Sequence, residues 1–215
     1  MGYKTIKNEA MDEFEEKKST FIGHVKRVEN EEEAKAFINK VRARHKESRH
    51  NVYAYIIGEN LGIQRYSDDG EPQGTGGIPI LEVIKKNQIT DTVVVVTRYF
   101  GGILLGTGGL TRAYTKGASL AIKAGGIVDK VYARELVTEV DYELLGKLQY
   151  IIEEKKWFLK DAEYGEKVKL TLIAEEETAK EIELEIAELS RGRGTIIKKD
   201  LKIYFKDGEG YLENI

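Results

Sequence analysis

Three acids, Asp68, Asp69 and Glu71, fall within four positions of the run Ser67-Asp68-Asp69-Gly70-Glu71-Pro72-Gln73-Gly74-Thr75-Gly76-Gly77. Carboxylates this close can hold a magnesium ion or divide acid and base roles between them. The same spacing suits an Asp-Asp-Gly turn whose side chains satisfy nearby backbone N–H groups, and that is the commoner outcome. An acidic loop can also position an arginine, and Arg98 and Arg112 need partners if they are partly buried.

A second run, Arg98-Tyr99-Phe100-Gly101-Gly102 leading to Gly106-Thr107-Gly108-Gly109, leaves a β-branched segment and enters a helical one. Free backbone N–H groups in a loop without side chains make a ready anion site. Arg49 and His50 before one strand, Arg98 at the end of another, and Arg112 and Lys116 four apart on a helix would add positive charge to that rim. The spacing is neither that of a P-loop nor of a dinucleotide fingerprint. Turn-making accounts for these glycines as well as anion binding does, and the two roles are compatible.

Other chemistry finds little footing. There is no cysteine, so there is no disulfide framework and no zinc–thiolate site. His24, His45 and His50 show no helical metal spacing, and no serine sits in a nucleophile elbow. No apolar run approaches the roughly 18 residues of a membrane span, so a soluble, cytoplasmic protein is expected. Residues 1–130 carry 20 Lys and Arg against 17 acids, whereas residues 131–215 carry 14 against 20. The first part is therefore the better candidate for meeting phosphate, and the acidic second part is expected to face protein. If the second part meets RNA, Arg191, Arg193, Lys198 and Lys199 are its best cations.

Periodicity supplies the elements that must position these groups. A strand is expected at Thr20–Val28, then a helix capped by Asn30 that carries Ala34, Phe37, Ile38 and Val41 to about Arg44. A strand at Asn51–Ile57, turns from Gly62 to Gly77 and a helix at Ile78–Lys86 follow. The run Thr92–Thr97 reads as a buried central strand, Tyr99–Gly109 as a loop and Leu110–Ala124 as a helix with a small-residue face. A strand near Ile127–Arg134 closes the first domain, residues 1–134. Residues 135–215 then read β-α-β-β-α-β, with stripes Leu144, Leu148, Ile151, Ile152 and Ile182, Leu184, Ile186, Leu189, the order of a ferredoxin-like sandwich. The fold class is α+β.

The runs from Ser48 to Tyr55, Tyr66 to Thr75, Val96 to Leu110 and Arg112-Ala113-Tyr114 closely resemble the IMPACT/YigZ family of bacterial type. The resemblance implies an N-terminal domain like the second domain of ribosomal protein S-five and a ferredoxin-like C-terminal domain. It also implies the bacterial arrangement, without an added N-terminal RWD domain. Eukaryotic relatives regulate translation by competing for an activator of the amino-acid-starvation kinase, partly through that RWD domain. For bacterial relatives the fold suggests nucleic-acid or ribosome binding.

The leading expectation is a non-catalytic module that contacts RNA or a ribosome-associated partner, with no DNA specificity, no membrane and no cofactor. Backbone amides around Gly101, Gly102, Gly106, Gly108 and Gly109 and the cations Arg49, His50, Arg98, Arg112 and Lys116 would form its surface. Tyr53, Tyr66, Tyr99 and Tyr114 would offer stacking faces. One alternative is an enzyme on a nucleotide or phosphorylated ligand, with Asp68, Asp69 and Glu71 holding magnesium or acting as base while Arg98 and Arg112 clamp phosphate. Another is a purely protein-binding regulator.

Overall fold

The four consecutive valines of Thr92–Thr97 have no polar alternation, so the strand that carries them must be covered on both faces. In the computed structural model, which describes residues 2–192, 194–208 and 210–215, that is what surrounds them. The chain runs β1 (Tyr3–Ile6), β2 (Ala10–Glu16), β3 (Ser19–Arg27), α1 (Glu31–Arg44), β4 (His50–Ile57), β5 (Ile63–Ser67), α2 (Gly77–Lys86), β6 (Thr92–Tyr99) and α3 (Gly106–Gly125). It continues with β7 (Ile127–Val140), α4 (Tyr142–Glu154), β8 (Phe158–Tyr164), β9 (Val168–Glu175), α5 (Glu176–Leu189), β10 (Ile196–Lys198), β11 (Lys202–Asp207) and β12 (Gly210–Leu212). Tyr3–Asp129 and Lys130–Asn214 form two compact units, divided inside β7.

In the first unit a five-stranded sheet has the order β2-β3-β6-β4-β5. Val94 and Val96 of β6 pack with residues of α2 and α3, and Val93 and Val95 pack with Phe37, Ile38 and Val41 of α1. The sheet thus lies between one helix and two. Asn30 caps α1 by accepting from the Glu33 amide, as its position before three glutamates predicts. The small face of α3, with Ala113, Gly117, Ala118 and Ala121 buried, lets the helix lie close on the sheet.

Register decides where the charged end of β6 goes. Arg98 stands opposite Phe21 of β3 and opposite His50 of β4, so these three form one row across the sheet. Directly opposed residues share a face, and Phe21 belongs to the core beneath α3. The Val94–Val96 stripe therefore ends in a guanidinium where the sheet runs towards the start of α3.

The second unit builds its sheet in the order β12-β11-β7-β9-β8, with β10 also paired to β7. Without the terminal hairpin strand this is the ferredoxin-like arrangement the element order predicts. Leu148, Ile151, Ile182 and Ile186 cover one face. Leu184 departs from its expected stripe and is 68% exposed, because Ala179, Ile182 and Ile186 already define the buried face at helical spacing.

Other elements differ from the sequence reading. β5 lies within the stretch read as turns; its polar sequence Ile-Gln-Arg-Tyr-Ser is that of a sheet-edge strand held by pairing to β4. The two strands expected on either side of residue 134 are one continuous β7. The last strand of the expected β-α-β-β-α-β order is split in two, ending at Lys198 and resuming at Lys202. α3 begins at Gly106 rather than Leu110, so Gly106, Gly108 and Gly109 belong to its first turn despite their poor helix propensity.

His24 on β3 and His45 after α1 pack with their rings tilted at 53° and their centroids 5.1 Å apart. Burial first, then His45 and Arg44, push His24 down to about 4, and burial lowers His45 as well. The unfolded chain therefore takes up these protons at higher pH than the folded one. Stability is full above the ordinary histidine value and falls as pH drops below it. For His24 alone, about 1 kcal/mol is lost between pH 7.5 and pH 5.5. Urea unfolding at these two pH values should show this loss, and His24→Gln should reduce it; an unchanged pH dependence in the variant would remove His24 as the cause.

Candidate anion-binding site

Arg98 is 5% exposed, and a buried charge of this kind needs a counter-charge. Glu71 supplies it: Arg98 Nη1 donates to Glu71 Oε1 at 2.7 Å, and the Tyr114 hydroxyl donates to the same oxygen at 2.7 Å. Burial and this carboxylate together raise the Tyr114 hydroxyl far above its ordinary range. The rings of Phe21 and Phe100 each lie 5.4 Å from Arg98 Cζ. One buried network therefore joins the end of β6, the 68–77 turn and α3.

Two expectations change accordingly. Arg98 is not a free cation for a ligand's phosphate, because Glu71 already neutralises it. Tyr114 is fully buried and offers no stacking face.

The other two acids are also engaged, each elsewhere. Asp68 accepts from the amides of Gly74, Gly76 and Gly77 at 2.8, 3.0 and 2.8 Å. Gly76 is the N-cap of α2 and has no side chain to cap with, so Asp68 does that work from eight residues upstream. Asp69 accepts from the Asn51 amide at 2.6 Å and from Arg42 at 2.7 Å, and its carbonyl meets His50 Nδ1 at 2.8 Å. Asp68, Asp69 and Glu71 thus serve three separate sets of structural bonds rather than converging on a metal or a substrate. Among the described residues no group of three or more His, Asp or Glu side chains is arranged to hold a metal ion.

Beside the network lies a hollow of about 400 Å³. Phe100, Leu104, Leu105, Leu110 and Pro72 make an apolar wall, and Arg49, His50, Arg98, Glu71, Gly106 and Thr107 supply polar groups. Arg98 Nε, buried here, meets no hydrogen-bond acceptor among the described residues. The first turn of α3 opens into the hollow without a side-chain cap and without an acid, leaving amides that need partners. Arg49 is exposed, forms no ion pair among the described residues, and lies 5.7 Å from the Phe100 ring.

Arg112 and Lys116 do not share this rim. They line a second hollow of about 270 Å³ with Lys17, Glu16, Phe14 and Gly109, on the other side of Leu105. Their distance from Arg98 follows from helix geometry: residues 112 and 116 share one stripe of α3, and residue 110 points elsewhere. Lys17, Arg112 and Lys116 have no carboxylate within ion-pair distance among the described residues, and Lys116 Nζ sits 4.2 Å from the Phe14 ring.

The glycines divide as well. The Gly101 amide is taken by Ser19 Oγ at 3.1 Å, and a Cβ there would stand 1.9 Å from the Lys18 carbonyl oxygen. Gly101 is thus retained for close packing and is not a free anion donor. Gly102 and Gly106 hold φ of +82° and +70° in open space, which sets the bend of the intervening loop. Gly106 borders the first hollow and Gly109 the second, while Gly108 is exposed between them.

Sequence reasoning missed Lys17. It sits with Lys18 in the two-residue turn between β2 and β3, both at positive φ, where Asn-Gly is the usual signal. No residue type in that turn announces it. In the second unit Lys198 pairs with Glu183 and Lys199 with Glu135, both at 2.7 Å, so these two are not the free cations expected of them. Arg193, expected beside Arg191 in that cluster, lies outside the described residues. Tyr66 stays 49% exposed, Tyr53 stacks on Tyr55, and Tyr99 bonds His45 Nδ1 at 3.0 Å.

Residues 17–122 match the family model "Impact N-terminal domain", and residues 138–193 match a domain of unknown function. A Bacillus subtilis (strain 168) protein, IMPACT family member YvyE, is 43% identical over 93% of this chain and 92% of its own. IMPACT family member YigZ of Escherichia coli (strain K12) is 34% identical over 82% of this chain and 87% of its own. A crystal structure described as that of a hypothetical protein aligns with a TM-score of 0.59 at 30% identity, covering 93% of this chain and 98% of that one.

The buried bonds have a measurable worth. Tyr114→Phe removes one hydrogen bond to a carboxylate and should cost about 2 kcal/mol. Asp68→Ala leaves three amides without their acceptor and should cost about 2 kcal/mol or more. Urea unfolding measures both; losses below about 0.5 kcal/mol, the scale of an ordinary surface change, would contradict these assignments.

Proposed function

The chain belongs to the IMPACT family, and from that premise we propose that it is a non-catalytic RNA-binding protein of the translation machinery. One observation carries the reading. The uncapped, acid-free start of α3 is flanked by four cations with no carboxylate partner among the described residues: Arg49 on one side, and Lys17, Arg112 and Lys116 on the other. Many cations elsewhere are neutralised by the chain's own acids, as at Lys40–Glu9, Arg42–Asp69, Lys155–Glu185 and Lys160–Glu135. Unpaired cations gathered around free amides suit a polyanion, in a protein whose net charge is −3.

A strand would cross the first turn of α3, with its backbone against Arg112 and Lys116 and exposed Phe100 and Leu104 available to unstacked bases. The resemblance of the four sequence runs to a family with members in translational control supports placing that RNA in translation. Among the described residues no helix is long and apolar enough to cross a membrane. The engaged carboxylates at Asp68, Asp69 and Glu71 favour binding over catalysis.

Binding of a short single-stranded RNA should weaken with salt at a log–log slope of about −3, four contacts at roughly −0.7 each. The double variant Arg112→Ala/Lys116→Ala should bring the slope to about −1.4. Fluorescence anisotropy across a salt series measures both. A slope unchanged by the double variant would mean that the RNA lies elsewhere, and no binding at low salt would reject the reading.

A further inference from the structure

The two hollows flanking Leu105 differ in chemistry. The second is bordered by Glu16 and by three cations with no ion-pair partner among the described residues, whereas the first has one uncompensated guanidinium and an apolar wall. In the first hollow Glu71 cancels Arg98, so the formal positive charge left from the arginines is that of Arg49 alone. Beneath it lies Arg98, more than nine-tenths buried, whose Nε meets no acceptor among the described residues, and beside it are the free amides at the start of α3. Arg49 and those amides match a single phosphate, not a run of them. The rest of the hollow needs a different ligand group. Leu104 is 82% exposed and Phe100 38% exposed, and with Leu105 they leave an apolar surface unburied at the rim. A volume of about 400 Å³ is of the size that holds one small ligand.

We propose that the first hollow binds one nucleoside monophosphate unit, its phosphate at Arg49 and the α3 amides and its base against Phe100 and Leu104. In the RNA reading on which this rests, that unit is the phosphorylated end of a strand whose continuation runs past Arg112 and Lys116. A terminal phosphate is the source chosen because an internal nucleotide would bring two flanking phosphates to a rim equipped for one. Gly102 and Gly106, both at positive φ, bracket Ile103, Leu104 and Leu105 and hold Leu104 out at the mouth.

The experiment titrates the full chain, ¹⁵N-labelled, with adenosine 5′-monophosphate, adenosine and inorganic phosphate, and measures affinities for RNA carrying a 5′-phosphate, a 3′-phosphate or neither. The monophosphate should shift the amides of Gly106 and Thr107 and bind at least tenfold tighter than adenosine or phosphate. It should also displace the better end-phosphorylated RNA, and its own binding should depend on salt less steeply than that of the RNA, because a mononucleotide has no condensed counterions to release. Arg49→Ala and Leu104→Ser alter exposed side chains, and each should weaken it at least fivefold with the unfolding midpoint unchanged.

Failure here and failure of the RNA reading look different. RNA that binds through Arg112 and Lys116 while the monophosphate shifts nothing overturns the hollow and leaves the RNA reading intact. A monophosphate that binds with no affinity for any RNA upholds the hollow, makes a free nucleotide the source and overturns the strand end. Equal affinity for inorganic phosphate overturns the base contact.

Discussion

The bond between Glu71 and Arg98 organises the end of the first unit where the two hollows lie. β6 must be central because its valines demand cover on both faces, and the same register that centres it brings Arg98 into the row of Phe21 and His50. A guanidinium delivered there is buried, and an unpaired charge in that place would destabilise the fold. The 68–77 turn therefore has to present a carboxylate at one place. Asp68 folds that turn around three amides and caps α2, Asp69 ties it to β4 and α1, and Glu71 reaches Arg98 and Tyr114. The start of α3 is positioned by the same contact, through Tyr114.

This division of labour accounts for the electrostatics of the surface. The acids that look most like catalytic groups are consumed in holding the loops, and the arginine that looks most like a phosphate clamp is consumed with them. The remaining capacity for anions lies outside the network, in exposed Arg49, Lys17, Arg112 and Lys116 and in the amides of an uncapped helix. Leu105 splits that capacity into one hollow with an apolar wall and one with three cations. In the proposed reading a strand end and a strand body would make different demands, and the two hollows differ in the same sense.

Much of this was legible from residue types. The valine run announced a doubly covered strand, Asn30 with its three glutamates announced a helix start, and the β-α-β-β-α-β rhythm announced the second unit's sheet. Aspartates near glycines announced a turn whose side chains serve local amides, and the structure shows Asp68 serving three of them. What stayed hidden depends on distance in sequence. An acidic-loop partner for Arg98 was in view, but which acid was not: Glu71 and Arg98 are 27 residues apart, and the strand register selects the pair. The Lys17-Lys18 turn lacks the residues that usually mark one, because pairing of β2 with β3 imposes it. Gly101 looks like a bare amide in sequence, yet its hydrogen goes to Ser19 from the neighbouring strand. The separation of Arg98 from Arg112 likewise follows from which stripe of α3 faces the sheet.

The most direct test of this account is a double-mutant cycle on unfolding free energy with Glu71→Leu, Arg98→Met and the pair. Each single variant strands a buried partner, and the double variant strands none of the ionised groups. The account predicts a coupling of about 2 kcal/mol or more, with the double variant more stable than the sum of the singles implies. Additivity within about 0.5 kcal/mol would show that the two residues act independently, and the network would not be the constraint on which the site depends.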